Sequence, residues 1–86
     1  MHIDEVYIIE VEESSYSPDV TVTATYNDSV WTLKKNAVNR LKNIANKYKH
    51  ASANWSKEKD HLTLSFDRYE TSTYKIKAYS LDIASD

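Results

Sequence analysis

Residues 33–49, LKKNAVNRLKNIANKYK, decide the fold of this chain. Their apolar side chains recur every three or four positions, so on a helix they share one arc of about 140°. The apolar members of this arc are Leu33, Ala37, Val38, Leu41, Ile44, Ala45 and Tyr48. The pattern predicts an amphipathic helix over residues 34–49. Burial of its apolar side contributes roughly 10 kcal/mol before chain ordering cancels much of that gain.

The chain before the helix has the period-two alternation of β-strands. A first strand is predicted over residues 3–12, followed by a loop over 14–18. A second strand is predicted over 19–26, where Val and Ala alternate with Thr, so one face should be buried and the other wet. Asn27-Asp28 is predicted to be a hairpin turn that leads into a short third strand over 29–33. The alternative is that the helix begins near Asp28, with this residue as its N-cap.

Three further strands are predicted after the helix, over residues 51–56, 61–67 and 73–83, because apolar and polar residues alternate again. Turns over 57–60 and 68–72 join them. Short connections favour antiparallel neighbours, so the sequence predicts an α+β fold: a two-layer sandwich of an antiparallel sheet on one amphipathic helix. About five to six strands are expected, in the order β-β-β-α-β-β-β, within a single domain of residues 1–86. Trp31 and Trp55 are predicted to anchor the core or its edge.

Two absences in the composition exclude whole classes of chemistry. The chain has no cysteine, so disulfides, thiolate zinc sites, iron–sulfur clusters and cysteine nucleophiles are excluded. It has no glycine either, and the glycine-rich loops that bind phosphates or dinucleotides need backbone that approaches the ligand closely. The lack of cysteine favours a reducing compartment. Since no signal-peptide pattern or membrane-spanning run is present, we expect a cytoplasmic protein.

The residue types that usually carry catalysis form no recognisable constellation. His2, His50 and His61 lack the spacing of metal ligands on one helix. The glutamates within residues 10–13 could hold a hard cation, but a charged strand end that stays in solvent explains them as well. We therefore expect no enzyme activity, no cofactor and no metal site.

Charge is divided unevenly along the chain. Residues 1–30 carry seven acidic residues and no Lys or Arg, for a net charge of −7. Residues 31–60 carry eight basic and two acidic residues, for a net charge of +6. Residues 61–86 carry three basic and four acidic residues, which brings the whole chain to −2. An acidic hairpin region therefore precedes a basic helix.

The predicted helix carries asparagines and basic residues on the side opposite its apolar arc. We call this surface the helix polar face. Its members are Lys35, Asn36, Asn39, Arg40, Lys42, Asn43, Asn46, Lys47 and Lys49. Asn is a weak helix former, so a stripe of asparagines on an exposed face costs helix stability. A cost of this kind suggests that the face has a use.

Three explanations of the helix polar face compete. In the first, the face reflects composition alone. The chain is rich in Asn, Lys and Tyr, as AT-rich genomes tend to encode, and polar residues are simply placed on the solvent-exposed side of the helix. In the second, the face binds a protein, since Asn amides donate and accept hydrogen bonds and the cations steer an acidic partner. In the third, it binds nucleic acid, with Asn pairing to adenine and the cations holding phosphates. The sequence pI of about 5.9 and the acidic hairpin argue against the third explanation.

The function we favour is a small non-enzymatic module that engages an acidic protein surface through the helix polar face, with nucleic acid as the alternative target and no membrane partner. Its size and composition suit an accessory or inhibitor protein of a phage or mobile element. A weak homo-oligomer is a further expectation. It would form through the edge or the threonine face of strand 19–26, or by pairing the acidic hairpin of one copy with the basic helix of another.

Overall fold

Five strands and one helix form the part of the chain that the structure, a computed structural model, describes, which is residues 5–80. The elements are β1 (Glu5–Tyr16), β2 (Thr21–Trp31), α1 (Lys34–Lys47), β3 (Ser52–Trp55), β4 (His61–Ser65) and β5 (Glu70–Ser80). All strand pairs are antiparallel, in the sheet order β2-β1-β5-β4-β3. The predicted class, α+β with an antiparallel sheet and one helix, is confirmed. His2 and the predicted strand ends at residues 3 and 83 lie outside the described residues.

The helix crosses one face of the sheet, because it joins β2 at one edge to β3 at the other. Its buried residues are Ala37, Leu41 and Ile44. Together with Ile9, Val11, Leu62, Leu64 and Tyr74 of the sheet they form the core. Trp31 and Trp55 are partly buried and pack against this core, as predicted.

The helix begins at Lys34, as predicted, and ends two residues earlier than predicted. It stops at Lys47, and Tyr48 is the C-cap, whose ring packs edge-on against Phe66 with centroids 5.5 Å apart. At the other end Leu33 is the N-cap and is 50% exposed, so its predicted place in the core is wrong. Its backbone is extended (φ −121°, ψ 130°) and does not follow the helical wheel that placed it there. Within residues 5–80 no helix combines the length and apolar composition that a membrane crossing requires.

The turn of the first hairpin lies at residues 17–20, slightly later than the predicted loop over 14–18, because β1 continues to Tyr16. Across the turn the N–H of Ser17 donates to the carbonyl of Val20 (2.8 Å). The second predicted turn, at Asn27-Asp28, is wrong because β2 runs through it. Pro18 suits the second position of a turn because its ring fixes φ, and Ser suits the first. The sequence predicts a chain reversal at both places, and only the first of them interrupts the sheet.

Asn27-Asp28 instead forms a β-bulge inside β2, which runs on to include most of the predicted third strand. Ile9 of β1 is opposite Ser29, and the next residue, Glu10, is opposite Asn27, so Asp28 is the extra residue. A bulge leaves one residue unpaired and re-aims its side chain. The element order is therefore β-β-α-β-β-β, and the carboxylate of Asp28 is free to reach α1.

The helix covers only part of the hairpin. Its 14 residues span about 21 Å, whereas the 12 residues of β1 span about 40 Å. We call the uncovered part, residues 13–26, the distal hairpin. In it Val20, Val22 and Tyr26 are 56%, 59% and 47% exposed. The predicted buried face of the second strand is therefore wrong, because α1 leaves the Trp31 end of β2 and crosses toward β3 without covering that face.

The remaining turns also form without glycine. In the predicted charged turn, Lys59 takes a positive φ of 64°, a conformation that costs a non-glycine residue roughly 1 kcal/mol. In the turn before β5, Asp67 Oδ1 accepts the backbone N–H groups of Tyr69 (2.7 Å) and Glu70 (2.9 Å). Side-chain hydrogen bonds thus hold a turn that glycine would otherwise make easy.

Candidate binding surface on the helix

The helix polar face lies on the side of α1 that is turned away from the sheet. The sheet side is marked by the buried Ala37, Leu41 and Ile44, and residues about half a turn from them face solvent. Exposed members of the face are Lys35, Asn39, Lys42, Asn43, Asn46, Lys47 and Lys49, and half-buried members are Asn36 and Arg40. Lys49 follows the C-cap and is not part of the helix. The structure places these side chains on one surface; that they bind a partner stays a prediction.

Arg40 is already engaged within the chain. Its Nε donates to Asp28 Oδ2 (2.9 Å) and its Nη2 donates to Asp28 Oδ1 (3.0 Å), which ties α1 to the bulge of β2 at two points. The hydrogen bonds from the guanidinium are the main cause that lowers the pKa of Asp28. The same contact raises the pKa of Arg40. A partner would therefore meet a neutral ion pair at this position and not a free cation.

A relay of hydrogen bonds extends from this ion pair to the edge of the core. The Oγ of Ser29 donates to Asp28 Oδ2 (2.8 Å), and the indole Nε1 of Trp31 donates to the Oγ of Ser29 (2.7 Å). Since Trp31 packs against the core, the relay fixes the end of β2 relative to the helix that follows it. Sequence reasoning missed it, because the bulge that aims Asp28 was taken for a turn.

Separation of Arg40 from Asp28 should cost about 1 kcal/mol of unfolding free energy. The contact is bidentate, but the Arg40 side chain is 42% exposed, so water screens part of the attraction. We expect Asp28→Asn and Arg40→Gln each to lower stability by about that amount in urea denaturation at neutral pH. The double variant should lose clearly less stability than the two single variants combined. The interaction that the second substitution would break is already absent after the first.

Acid should remove the same coupling. Because the pKa of Asp28 is lowered in the folded chain, its contribution is present above the unfolded value of about 4 and is lost as the pH falls through the folded value. Lys42→Gln is the matched control, since it removes an exposed charge that has no carboxylate partner among residues 5–80, and it should change stability by less than about 0.5 kcal/mol. Fully additive losses at neutral pH would contradict the proposed coupling.

The lysines of the helix polar face have no carboxylate partner among residues 5–80. The ion pairs between described residues are Arg40–Asp28 and Lys77–Glu10. Lys47 lies over the ring of Tyr48, with Nζ 5.5 Å from the ring centre. The ammonium groups of the other lysines of the face are therefore exposed to solvent.

The first turn of α1 lacks the groups that normally stabilise the start of a helix. Leu33, the N-cap, makes no side-chain hydrogen bond to the helix, and no acidic residue lies in the first turn. Lys34 and Lys35 place positive charge there, which the helix dipole disfavours by about 0.3–1 kcal/mol for each charge at low salt. These residues are therefore not explained by helix stability.

The acidic residues of the first hairpin are split between the two faces of the sheet. Glu10 lies on the face away from α1, where it accepts hydrogen bonds from the Tyr79 hydroxyl and from Lys77 Nζ (3.3 Å). These contacts, that with Tyr79 first, lower the pKa of Glu10. Glu13 lies on the helix side and accepts from the Tyr26 hydroxyl (3.1 Å). Across residues 5–80 no three His, Asp or Glu side chains are grouped so as to hold a metal ion.

A groove of about 290 Å³ lies on the helix side of the distal hairpin. It is lined by Glu13, Ser14, Ser15, Val22, Ala24, Phe66, Glu70, Thr71 and Ser72. It lies where α1 does not cover the sheet. Sequence reasoning missed the groove, because the path of the helix across the sheet is not visible in the pattern of either element.

Comparison with known protein families, with curated proteins and with solved structures finds no match to this chain. No relative therefore supplies a function or a set of functional residues. The case for a function rests on the chemistry of the two surfaces that the fold leaves open, the helix polar face and the distal hairpin.

Proposed function

We propose that this protein is a small non-enzymatic binding module whose helix polar face engages an acidic surface of a partner protein. The observation that carries the proposal is the pair Lys35 and Lys42, which are exposed on α1 and have no carboxylate partner among residues 5–80. Beside them stand the exposed Asn39, Asn43 and Asn46. Amides both donate and accept hydrogen bonds, and ammonium groups donate to carboxylates. The face thus offers charge and hydrogen bonds together.

An acidic partner would also offset what these residues cost. Asn lowers helix stability by several tenths of a kcal/mol relative to Ala. Lys35 adds an unfavourable charge to the first turn of α1. Carboxylates of a partner near the start of the helix would interact favourably with the helix dipole and neutralise the lysines. The charge in the first turn would then no longer destabilise the helix.

A protein surface fits the charge distribution better than nucleic acid does. The chain has a net charge of −2, and Arg40 is neutralised by Asp28. On the helix side of the sheet, Glu13 and Glu70 line the groove of the distal hairpin. A duplex laid along α1 would carry its phosphates toward these carboxylates, whereas a protein needs to cover only the helix.

Charge reversal on α1 should remove binding without unfolding the chain. We expect Lys35→Glu/Lys42→Glu to weaken partner binding at least about tenfold, because two attractive contacts become repulsive. The measurement is affinity capture from the source cell followed by calorimetric titration of the purified partner. Lys57→Glu/Arg68→Glu is the matched control, since it makes the same charge change in exposed turns away from α1. It should bind as the unmodified chain does. Both variants should stay folded, and reversal of the charge at Lys35 should raise stability, because a carboxylate in the first turn favours the helix dipole.

Titration with duplex DNA, single-stranded DNA and RNA at two salt concentrations tests the alternative target. Binding that falls steeply with salt and is lost in Lys35→Glu/Lys42→Glu would make nucleic acid the ligand of the face. Equal partner binding by the reversed and unmodified chains would contradict the helix polar face as the site. A role in a phage or mobile element, as an inhibitor of a host protein in the cytoplasm, stays a prediction that the identity of the captured protein addresses.

A further inference from the structure

The two edges of the sheet are protected to very different degrees. β3, at one edge, has only four residues, and Lys57 and Lys59 follow it closely. Short edge strands and nearby lysines discourage the addition of a further strand. β2, at the other edge, has 11 residues. Over residues 20–27 it has neither a charged residue nor a proline, and every residue is exposed.

The phase of the β1–β2 ladder shows which backbone groups of β2 lack a partner in the sheet. Ser17 and Val20 are joined across the turn by a hydrogen bond from the Ser17 N–H to the Val20 carbonyl. Bonded and non-bonded pairs alternate along an antiparallel ladder, so every second residue counted from Val20 bonds to β1. The N–H and C=O groups of Thr21, Thr23 and Thr25 therefore point away from β1, along the open edge.

Apolar side chains and threonines lie on opposite faces of this edge strand, as pairing with an equivalent strand requires. Val20, Val22 and Tyr26 lie on the helix side beyond the end of α1 and are largely exposed. The threonines lie on the opposite face. A strand with the same alternation would set apolar side chains beside these and leave the threonine face continuous.

We propose that β2 pairs antiparallel with β2 of a second copy of this chain, so that the two sheets join into one. Thr23 lies on the two-fold axis of this dimer, opposite Thr23 of the other copy. Thr21 lies opposite Thr25 on either side of the axis. These pairs are the ones whose backbone groups point outward, and they supply about six backbone hydrogen bonds.

The same register matches the apolar side of the strand. Val22 lies opposite Ala24, and Val20 lies opposite Tyr26, so apolar residues meet apolar residues in both halves. A slide by one residue would oppose threonines to apolar residues on the wrong faces. A slide by two would bring either the bulge at Asp28 or the turn at residues 17–20 into the ladder, where regular pairing fails.

Charge does not oppose this dimer at physiological salt. In this register Asp19 of one copy lies nearest Asp28 of the other, whose charge Arg40 already neutralises. The nearest glutamates lie on β1, so those of the two copies are three strand spacings apart, about 14 Å. This distance exceeds the Debye length of about 8 Å. The dimer should therefore persist or strengthen as salt rises. Pairing of the acidic hairpin with the basic helix of another copy would weaken instead, which separates the two modes of association.

The contact is small, and it leaves the helix polar face of each copy open. About seven residues on each side take part, against roughly 20–30 on each side of a standard interface. We therefore expect a reversible dimer with a dissociation constant in the micromolar range or weaker. The proposal goes beyond binding through α1 and does not depend on it.

Sedimentation velocity of the full chain over a range of concentrations tests the dimer. The unmodified chain should shift from monomer to dimer as concentration rises, and Thr23→Pro should stay monomeric. Proline removes the outward N–H and is tolerated on an edge strand where that N–H does not bond within the sheet, so far-ultraviolet circular dichroism should be unchanged. Thr23→Val keeps the N–H and the strand propensity; as the matched control it should dimerise like the unmodified chain.

A charge-swap pair tests the register and does not require that proline be accommodated. One variant carries Thr21→Lys/Thr25→Lys and the other carries Thr21→Glu/Thr25→Glu. Each alone should be monomeric because like charges lie opposite each other, and an equimolar mixture should form a heterodimer. The proposal is overturned if the unmodified chain is monomeric at every concentration, if a folded Thr23→Pro variant still dimerises, or if the mixture does not associate.

Discussion

Replacement of Ile44 by Asp is expected to unfold the chain at neutral pH. Ile44 is 4% exposed and lies in the core between α1 and the sheet. The change removes a large apolar side chain and leaves either a buried carboxylate or a helix detached from the sheet. The combined loss exceeds the roughly 5 kcal/mol of stability expected for a domain of this size. Circular dichroism during urea denaturation should therefore show no cooperative transition.

Asn43→Asp is the matched control for this experiment, because it adds the same carboxylate at the preceding position, on the exposed side of α1. It should keep a cooperative transition with a midpoint close to that of the unmodified chain. If Ile44→Asp showed the same transition, α1 would not pack on the sheet through this residue.

Alkaline pH is expected to remove about 2–3 kcal/mol of stability through Tyr74 alone. Burial, and to a lesser degree the nearby Tyr26 and Tyr48, raise the pKa of its hydroxyl to about 12. In the unfolded chain the value is about 10. Because the folded value is the higher one, the contribution is fully present below about pH 10. It is lost as the pH rises to about 12, at about 1.4 kcal/mol for each pH unit.

The measurement is the difference in unfolding free energy between the unmodified chain and Tyr74→Phe over a series of pH values. This difference should shift in favour of the variant between about pH 10 and about pH 12, since phenylalanine has no proton to lose. Ile76→Val, a non-ionising change in the same strand, should lower stability by a constant amount of about 1 kcal/mol. An equally constant difference for Tyr74→Phe would show that its hydroxyl is not shielded from water.

Structural features that depend on the residue pattern within a single helix or strand could be predicted from the sequence. The spacing within residues 34–47 has no breaker, and the three residues buried on α1 all fall within the predicted apolar arc. Leu62 and Leu64 alternate with polar residues in β4 and are fully buried, as the alternation predicts. In both elements the local preference and the tertiary contacts agree.

Chain reversals are predicted both near residues 17–20 and at Asn27-Asp28, and local preference does not show that only the first one forms. Residues 17–20 and Asn27-Asp28 both contain good turn formers. A turn at the earlier position lets β1 and β2 pair along nearly their whole length, and it leaves β1 free to pair with β5 on its other side. That gain is long-range and is not visible in the alternation of either strand.

The candidate surfaces divide in the same way. A helical wheel is enough to place the helix polar face in solvent, because that placement follows from the apolar arc. The engagement of Arg40 by Asp28 could not be predicted, since a bulge in another element aims the carboxylate. The open distal hairpin depends on the path of α1 across the sheet, a relation between elements that the periodicity of one element does not contain.

The central position of β1 has a consequence for how the chain is made. Its partner β5 is the last strand along the described chain, with Glu5 opposite Ser80 and Ser15 opposite Glu70. The ribosome must therefore release the chain as far as β5 before the middle of the sheet can close. Contacts between strands that are far apart in sequence slow folding. A hairpin whose strand edges are still unpaired is prone to aggregation. We therefore expect the risk of aggregation to be highest between synthesis of β2 and emergence of β5 from the ribosome. During that time both edges of the β1–β2 hairpin are unpaired.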